Sequence, residues 1–134
     1  MERKNILIVD DELLIRDLLY DFFAEKGWIV SVSDSSSKAL EILKSRRFDV
    51  ALVDLKMPEV DGIALIKSIK AYNSLLPVVI ITAFPSFESA VEALKLKVDD
   101  YITKPFNINK LFKAICDILD KSREQKEVIP TEKY

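Results

Sequence analysis

Four apolar runs along the chain each end abruptly on polar residues. Ile6–Val9 runs into Asp10 and Asp11, Val50–Val53 into Asp54, Val78–Ile81 into Thr82, and the short Tyr101–Thr103 into Lys104 and Pro105. The first three runs are continuous and rich in Val and Ile, which suits strands covered on both faces, as in a parallel sheet. Trp28–Val32 alternates more and reads as an edge strand; Asp100–Thr103 is short and also suits an edge. Between the runs the apolar period becomes helical. Leu14, Ile15, Leu18, Leu19, Phe22 and Phe23 predict a first helix that ends near Gly27 as its C-cap. Ser35–Ser37 caps a second, with Ala39, Leu40, Ile42 and Leu43 on one stripe. Asp61 caps a third, carrying Ile63, Leu65, Ile66 and Ile69 and ended by Asn73 and Pro77. Phe87, Ala90, Val91 and Leu94 mark a fourth. Asn107 caps a fifth, with Ile108, Leu111, Phe112, Ile115 and Leu119. Five strands alternating with five helices predict an α/β domain with a five-stranded parallel sheet. Right-handed crossovers with helices on both faces make it doubly wound.

In such sheets ligands bind beyond the carboxyl ends of the strands. The polar stops gather at that edge. Asp10 and Asp11 are adjacent and cannot both point the same way, so at least one reaches the pocket. Three close carboxylates repel one another and need a cation. Oxygen ligands with open positions suit Mg²⁺. Lys104 adds a compact positive charge and Thr82 a hydroxyl donor, both suited to a phosphoryl oxygen. Asp54 stands alone after the middle run and is the candidate nucleophile, with the Asp10/Asp11 pair left as metal ligands.

Composition narrows the chemistry. The chain has no histidine and one cysteine, which excludes imidazole-based catalysis in cis, imidazole zinc sites and an internal disulfide. Any phosphoryl donor is therefore external: a phosphohistidine on another protein, or a small acyl phosphate. A length of 134 residues suits one domain, placed at 1–121. The charged stretch 121–127 and the aperiodic end make 122–134 a tail or linker, into which the last helix runs a turn or two. The net charge of -2 argues against direct nucleic-acid binding. No apolar stretch approaches the roughly 18 residues of a membrane span, and Met1–Asn5 has no signal-peptide core, so the expected location is cytoplasmic. Cys116 falls on the fifth helix's apolar stripe as inert core. Glu12 reads as a solvated first-turn residue with a favourable helix-dipole position.

The residues Ile8–Glu12, Val53–Gly62 (Val-Asp-Leu-Lys-Met-Pro-Glu-Val-Asp-Gly), Ile81–Ala83 and Asp100–Phe106 (Asp-Tyr-Ile-Thr-Lys-Pro-Phe) occur in an order and spacing that resemble the receiver domain of two-component response regulators. The resemblance covers residues from about 4 to 121. It implies a flavodoxin-like, CheY-like fold with strand order 2-1-3-4-5. It implies a switch rather than a turnover enzyme, with Asp54 as phosphoacceptor. Mg²⁺ is then held by Asp10, Asp11, Asp54 and the Lys56 carbonyl, and Lys104 is the phosphoryl-sensing lysine, joined to Pro105 by a cis bond. Thr82 and Tyr101 become a coupled switch pair. The implied partner is a sensor histidine kinase or phosphotransfer protein. Leu13, Leu14 and Ile15 give the first helix more apolar surface than one stripe needs; the surplus, Leu14 or Ile15 with Leu18, either docks the kinase or is covered intramolecularly. Phe84, Phe87, Pro105 and Phe106 mark an output or homodimer face at the fourth helix, fifth strand and fifth helix.

Three positions depart from the family pattern. Lys97 stands where glycine is usual, Pro85 stands in the loop after Thr82, and Phe84 is bulky enough to shield an acyl phosphate from water. Three rival readings fit less well. A flavin-type cofactor binder of this fold needs a Ser/Thr/Gly-rich loop where this chain has Asp10-Asp11-Glu12. A phosphohydrolase needs a second acid two residues after the nucleophile, where Lys56 stands. A phosphorylation-independent interaction module has no use for the intact acidic pocket.

Overall fold

The computed structural model describes residues 3–57 and 60–128. In chain order the elements are β1 (Asn5–Val9), α1 (Leu13–Glu25), β2 (Ile29–Ser33), α2 (Ser36–Ser45), β3 (Val50–Asp54), β4 (Lys56–Met57), β5 (Val60–Asp61), α3 (Gly62–Tyr72), β6 (Val78–Thr82), α4 (Phe87–Lys95), β7 (Asp100–Thr103) and α5 (Ile108–Val128). The main sheet is parallel, in the order β2-β1-β3-β6-β7. Counting its strands along the chain, that is the expected 2-1-3-4-5. The pair β4/β5 is a small antiparallel hairpin after Asp54 that the apolar pattern does not announce, because each strand has only two residues.

Alternation along the central strands sorts the core into two halves. Leu7, Val9, Ala51, Val53, Val78 and Ile80 face Ala39, Leu43, Leu65, Ile66, Ile69 and Ala93 of α2, α3 and α4. Ile6, Ile8, Val50, Leu52, Val79 and Ile81 face Leu19 and Phe23 of α1 and Leu111 and Ile115 of α5. Burying each Val, Leu or Ile side chain among these stabilises the fold by roughly 1.5–3 kcal/mol. A knot of edge-on rings, Phe22, Phe23, Trp28 and Phe112, ties α1 to α5. Cys116 packs against this half, where burial pushes its thiol up, so it stays protonated and unreactive.

The local signals act largely as expected. Ser35 caps α2 by accepting from the Lys38 N–H, and Asn107 accepts from the Lys110 N–H at the start of α5. Gly27 ends α1 with a positive φ of 86°. Asp61, expected to cap α3, lies in β5, and its side chain falls outside the described residues. Strand β2 begins one residue later than expected, at Ile29, because Trp28 turns into the ring knot. The expected stripe on α4 is corrected: Phe87 is 85% exposed and Leu94 78%, and Ala93 is the buried residue. Three large apolar residues, Phe87, Val91 and Leu94, on a nine-residue helix exceed what a small contact with the sheet can cover, so two of them face solvent. Helix α5 continues to Val128, seven residues past 121; residues 129–134 lie outside the described residues.

Candidate functional site

The strand register sets the site. Val9 pairs with Ser33 and with Val53, Asp54 pairs with Ile81, and Thr82 pairs with Thr103. Asp10, Asp54, Thr82 and Lys104 therefore share one carboxyl edge. Asp10 follows β1 and is held there by its N–H, which donates to the Ser33 carbonyl at 3.1 Å. Its Oδ1 accepts from the Glu12 N–H at 2.9 Å, fixing the turn into α1. The Arg16 guanidinium donates to the Asp10 carbonyl at 3.0 Å. Asp54 ends β3 and is buried. Gly62 packs directly beneath it: a Cβ there would lie 2.6 Å from the Leu55 Cα and 2.9 Å from the Asp54 carbonyl oxygen. Only glycine lets α3 approach this closely. The Lys104 N–H donates to the Thr82 carbonyl at 2.8 Å, and the Lys104–Pro105 bond is cis.

Lys104 brings the acids together. Its ammonium lies 2.6 Å from Glu12 Oε1, 2.9 Å from Asp10 Oδ2 and 3.1 Å from Asp54 Oδ2. Burial pulls the lysine pKa down, but hydrogen bonds to Glu12, Asp10 and Asp54 outweigh it, and the net shift is upward. Asp10 moves upward too, to about 6. Burial drives that shift and Asp54's charge adds to it, against the Glu12 N–H and Lys104. The two shifts have one origin: three carboxylates share one ammonium, and the excess negative charge invites a proton or a cation.

Asp10, Glu12 and Asp54 each offer a carboxylate oxygen, all within 4.8 Å of one another. Asp10 Oδ2 is fully buried and, despite its short ionic contact with Lys104, is not met by a hydrogen bond of good direction. An acidic group with a buried, under-satisfied oxygen suits Mg²⁺, a hard cation bound by one or two carboxylates plus water and phosphate oxygens.

Not every expected member joins the cluster. Asp11 is half-buried and is not among the mutually close carboxylates. Lys56 opens β4 next to Asp54's strand; its side chain lies outside the described residues. Glu12 is corrected: exposed though it is, its carboxylate reaches across to Lys104, 92 residues away. The signal for that was its position directly after the acidic pair, which composition alone does not separate from a helix-dipole role. Thr82 is fully buried, and its Oγ1 accepts from the Phe84 N–H at 3.1 Å. Tyr101 is half-buried, with its hydroxyl 2.6 Å from Ser89 Oγ and accepting from the Ser86 N–H at 3.4 Å. On α1, Leu13, Leu14 and Leu18 are exposed, whereas Ile15 packs against the core. Phe84 and Pro105 are exposed, and Phe106 is half-buried against the α1/α5 side.

A doubly wound parallel sheet with carboxylates around a lysine at its carboxyl edge defines a phosphoryl- and cation-binding α/β domain. Residues 6–116 match the response regulator receiver domain, and the chain belongs to that family. It is 43% identical over 107 residues to the transcriptional regulatory protein ZraR of Escherichia coli O157:H7, covering 80% of this chain and 24% of that protein. It is 35% identical to the DNA-binding transcriptional regulator NtrC of Proteus hauseri, covering 95% and 27%. The chain thus spans about a quarter of the length of these curated relatives. A receiver domain protein (CheY-like) from Methanospirillum hungatei JF-1 superposes with a TM-score of 0.90 at 28% identity, covering 92% of this chain and 99% of that one. NtrX from Brucella abortus superposes at 0.88 with 30% identity, covering 97% and 30%. The chain is a phosphorylatable receiver of two-component signal transduction. No helix among the described residues is long and apolar enough to cross a membrane.

Proposed function

We propose that Asp54 is the phosphoacceptor, in a chain that takes its phosphoryl group from a histidine kinase or phosphotransfer protein and changes shape to control an output. A carboxylate oxygen of Asp54 attacks phosphorus, the bond to the donor imidazole breaks, and its electron pair leaves with the imidazole. Mg²⁺, when bound, offsets charge on the phosphoryl oxygens; Asp10, Asp11, Asp54 and the Lys56 carbonyl are the groups to hold it. Lys104 supplies fixed positive charge on the other side, and the Thr82 hydroxyl turns from Phe84 to donate to a phosphoryl oxygen. Tyr101 follows Thr82 as the second half of the switch. Such preorganised charge is most of what phosphoryl transfer needs.

The observation that carries this reading is the Lys104 ammonium within 3.1 Å of both Asp10 and buried Asp54. The domain is a switch at residues 1–121, catalysing only its own phosphotransfer and slow dephosphorylation, with 122–134 as a linker. It works in the cytoplasm without touching nucleic acid or membrane itself. Leu14 and Leu18 on α1 form the kinase-facing surface, and Phe84, Phe87, Pro105 and Phe106 on the α4–β7–α5 side form the output or homodimer face. Incubation with Mg²⁺ and acetyl phosphate tests the core of this: the wild type gains one phosphoryl mass and Asp54→Asn does not. A wild type that gains none sinks the reading.

A further inference from the structure

We infer that Glu12 is a positioning residue that occupies Lys104 in the resting state and competes with the phosphoryl group for it. This rests on the phosphoacceptor reading above. An ammonium has three N–H groups and no acceptor. Lys104 is nearly buried, and its three nearest carboxylate oxygens, from Glu12, Asp10 and Asp54, all lie within 3.1 Å. Two of its N–H groups donate to Glu12 and Asp54, and Asp10 Oδ2 crowds it at 2.9 Å, so a phosphoryl oxygen approaches Lys104 by displacing a carboxylate.

The geometry selects which one. Asp10 and Asp54 are fixed at strand ends and almost wholly buried. Glu12 has a side chain 54% exposed, makes the shortest contact at 2.6 Å, and enters from the solvent side. Its side chain makes no capping bond to α1, so releasing it costs the helix nothing. Glu12 also places a negative charge where a doubly charged phosphoryl group must arrive. Because a partly exposed ion pair is worth up to about 1 kcal/mol, the competition is worth about two- to fivefold in affinity.

The test uses the full chain with Mg²⁺ and beryllofluoride, an inorganic phosphoryl mimic, titrated calorimetrically. Binding to the wild type, and its loss in Asp54→Asn, checks the underlying reading separately. Glu12→Gln and Glu12→Ala are each expected to bind beryllofluoride about two- to fivefold tighter and to be phosphorylated faster by acetyl phosphate. The gain is expected to vanish in a Lys104→Met background, where there is no ammonium to compete for, a double-mutant result that a merely structural role would not produce. Unchanged or weaker beryllofluoride binding in both variants overturns the inference. So does a gain of the same size when Lys104 is absent.

Discussion

At the scale of single residues, two positions carry measurable consequences. Lys97 holds a φ of 59°, a left-handed conformation that costs a side chain about 1–2 kcal/mol; glycine's extra chain entropy returns part of that. Lys97→Gly is expected to stabilise the fold by about 0.5–1 kcal/mol, read from urea unfolding. Asp10 is the second position. Its pKa in the fold, about 6, lies above its ordinary 3.8, so the folded state holds the proton more tightly than the unfolded one. Asp10's contribution is thus fully present below about pH 4 and lost as pH rises through about 6. In Mg²⁺-free buffer, thermal midpoints of the wild type should fall relative to Asp10→Asn across that window. Mg²⁺ affinity should rise over the same window, because the cation displaces the proton. An Mg²⁺ affinity that is flat from pH 4 to 7 contradicts the assignment.

At the scale of elements, the polar stops are legible in the sequence because a strand that ends on a charged residue marks a sheet edge without further information. Val50–Asp54 and Val78–Thr82 are buried throughout, as continuous apolar runs inside a sheet are, whereas the strand order itself rests on the receiver resemblance. What stays hidden is whatever depends on reach across elements. Glu12 meets Lys104 only after five strands have assembled, and Ser89 meets Tyr101 only once α4 has docked. The α4 stripe misleads because exposed Phe87 and Leu94 share the helical period with half-buried Ala90 and Val91. Two element-scale predictions follow from contacts of this kind. Gly62→Ala forces α3 away from Leu55 and is expected to cost about 1–3 kcal/mol and to slow phosphorylation by moving Asp54; a variant with wild-type stability contradicts the close approach. Ser89→Ala removes the hydroxyl held by Tyr101 and is expected to loosen the ring, seen as averaged Tyr101 ring signals in NMR.

At the scale of the whole molecule, the fold is a three-layered support, helices on both faces of the sheet, for one acidic edge. Both core halves sit on the central strands, so the edge is fixed while α4, with a single buried residue, is held most lightly. That asymmetry suits a switch: two states a few kcal/mol apart can be exchanged by one phosphoryl group. These 134 residues hold no histidine, so the phosphohistidine of the proposed donor lies outside them. Everything turns on which atom receives the phosphoryl group. The direct measurement is borohydride reduction of the acetyl-phosphate-treated protein, followed by peptide mass mapping. Reduction of an aspartyl phosphate converts that residue to homoserine. The account predicts homoserine at position 54 and nowhere else; homoserine at position 10 or 11, or none at all, contradicts it.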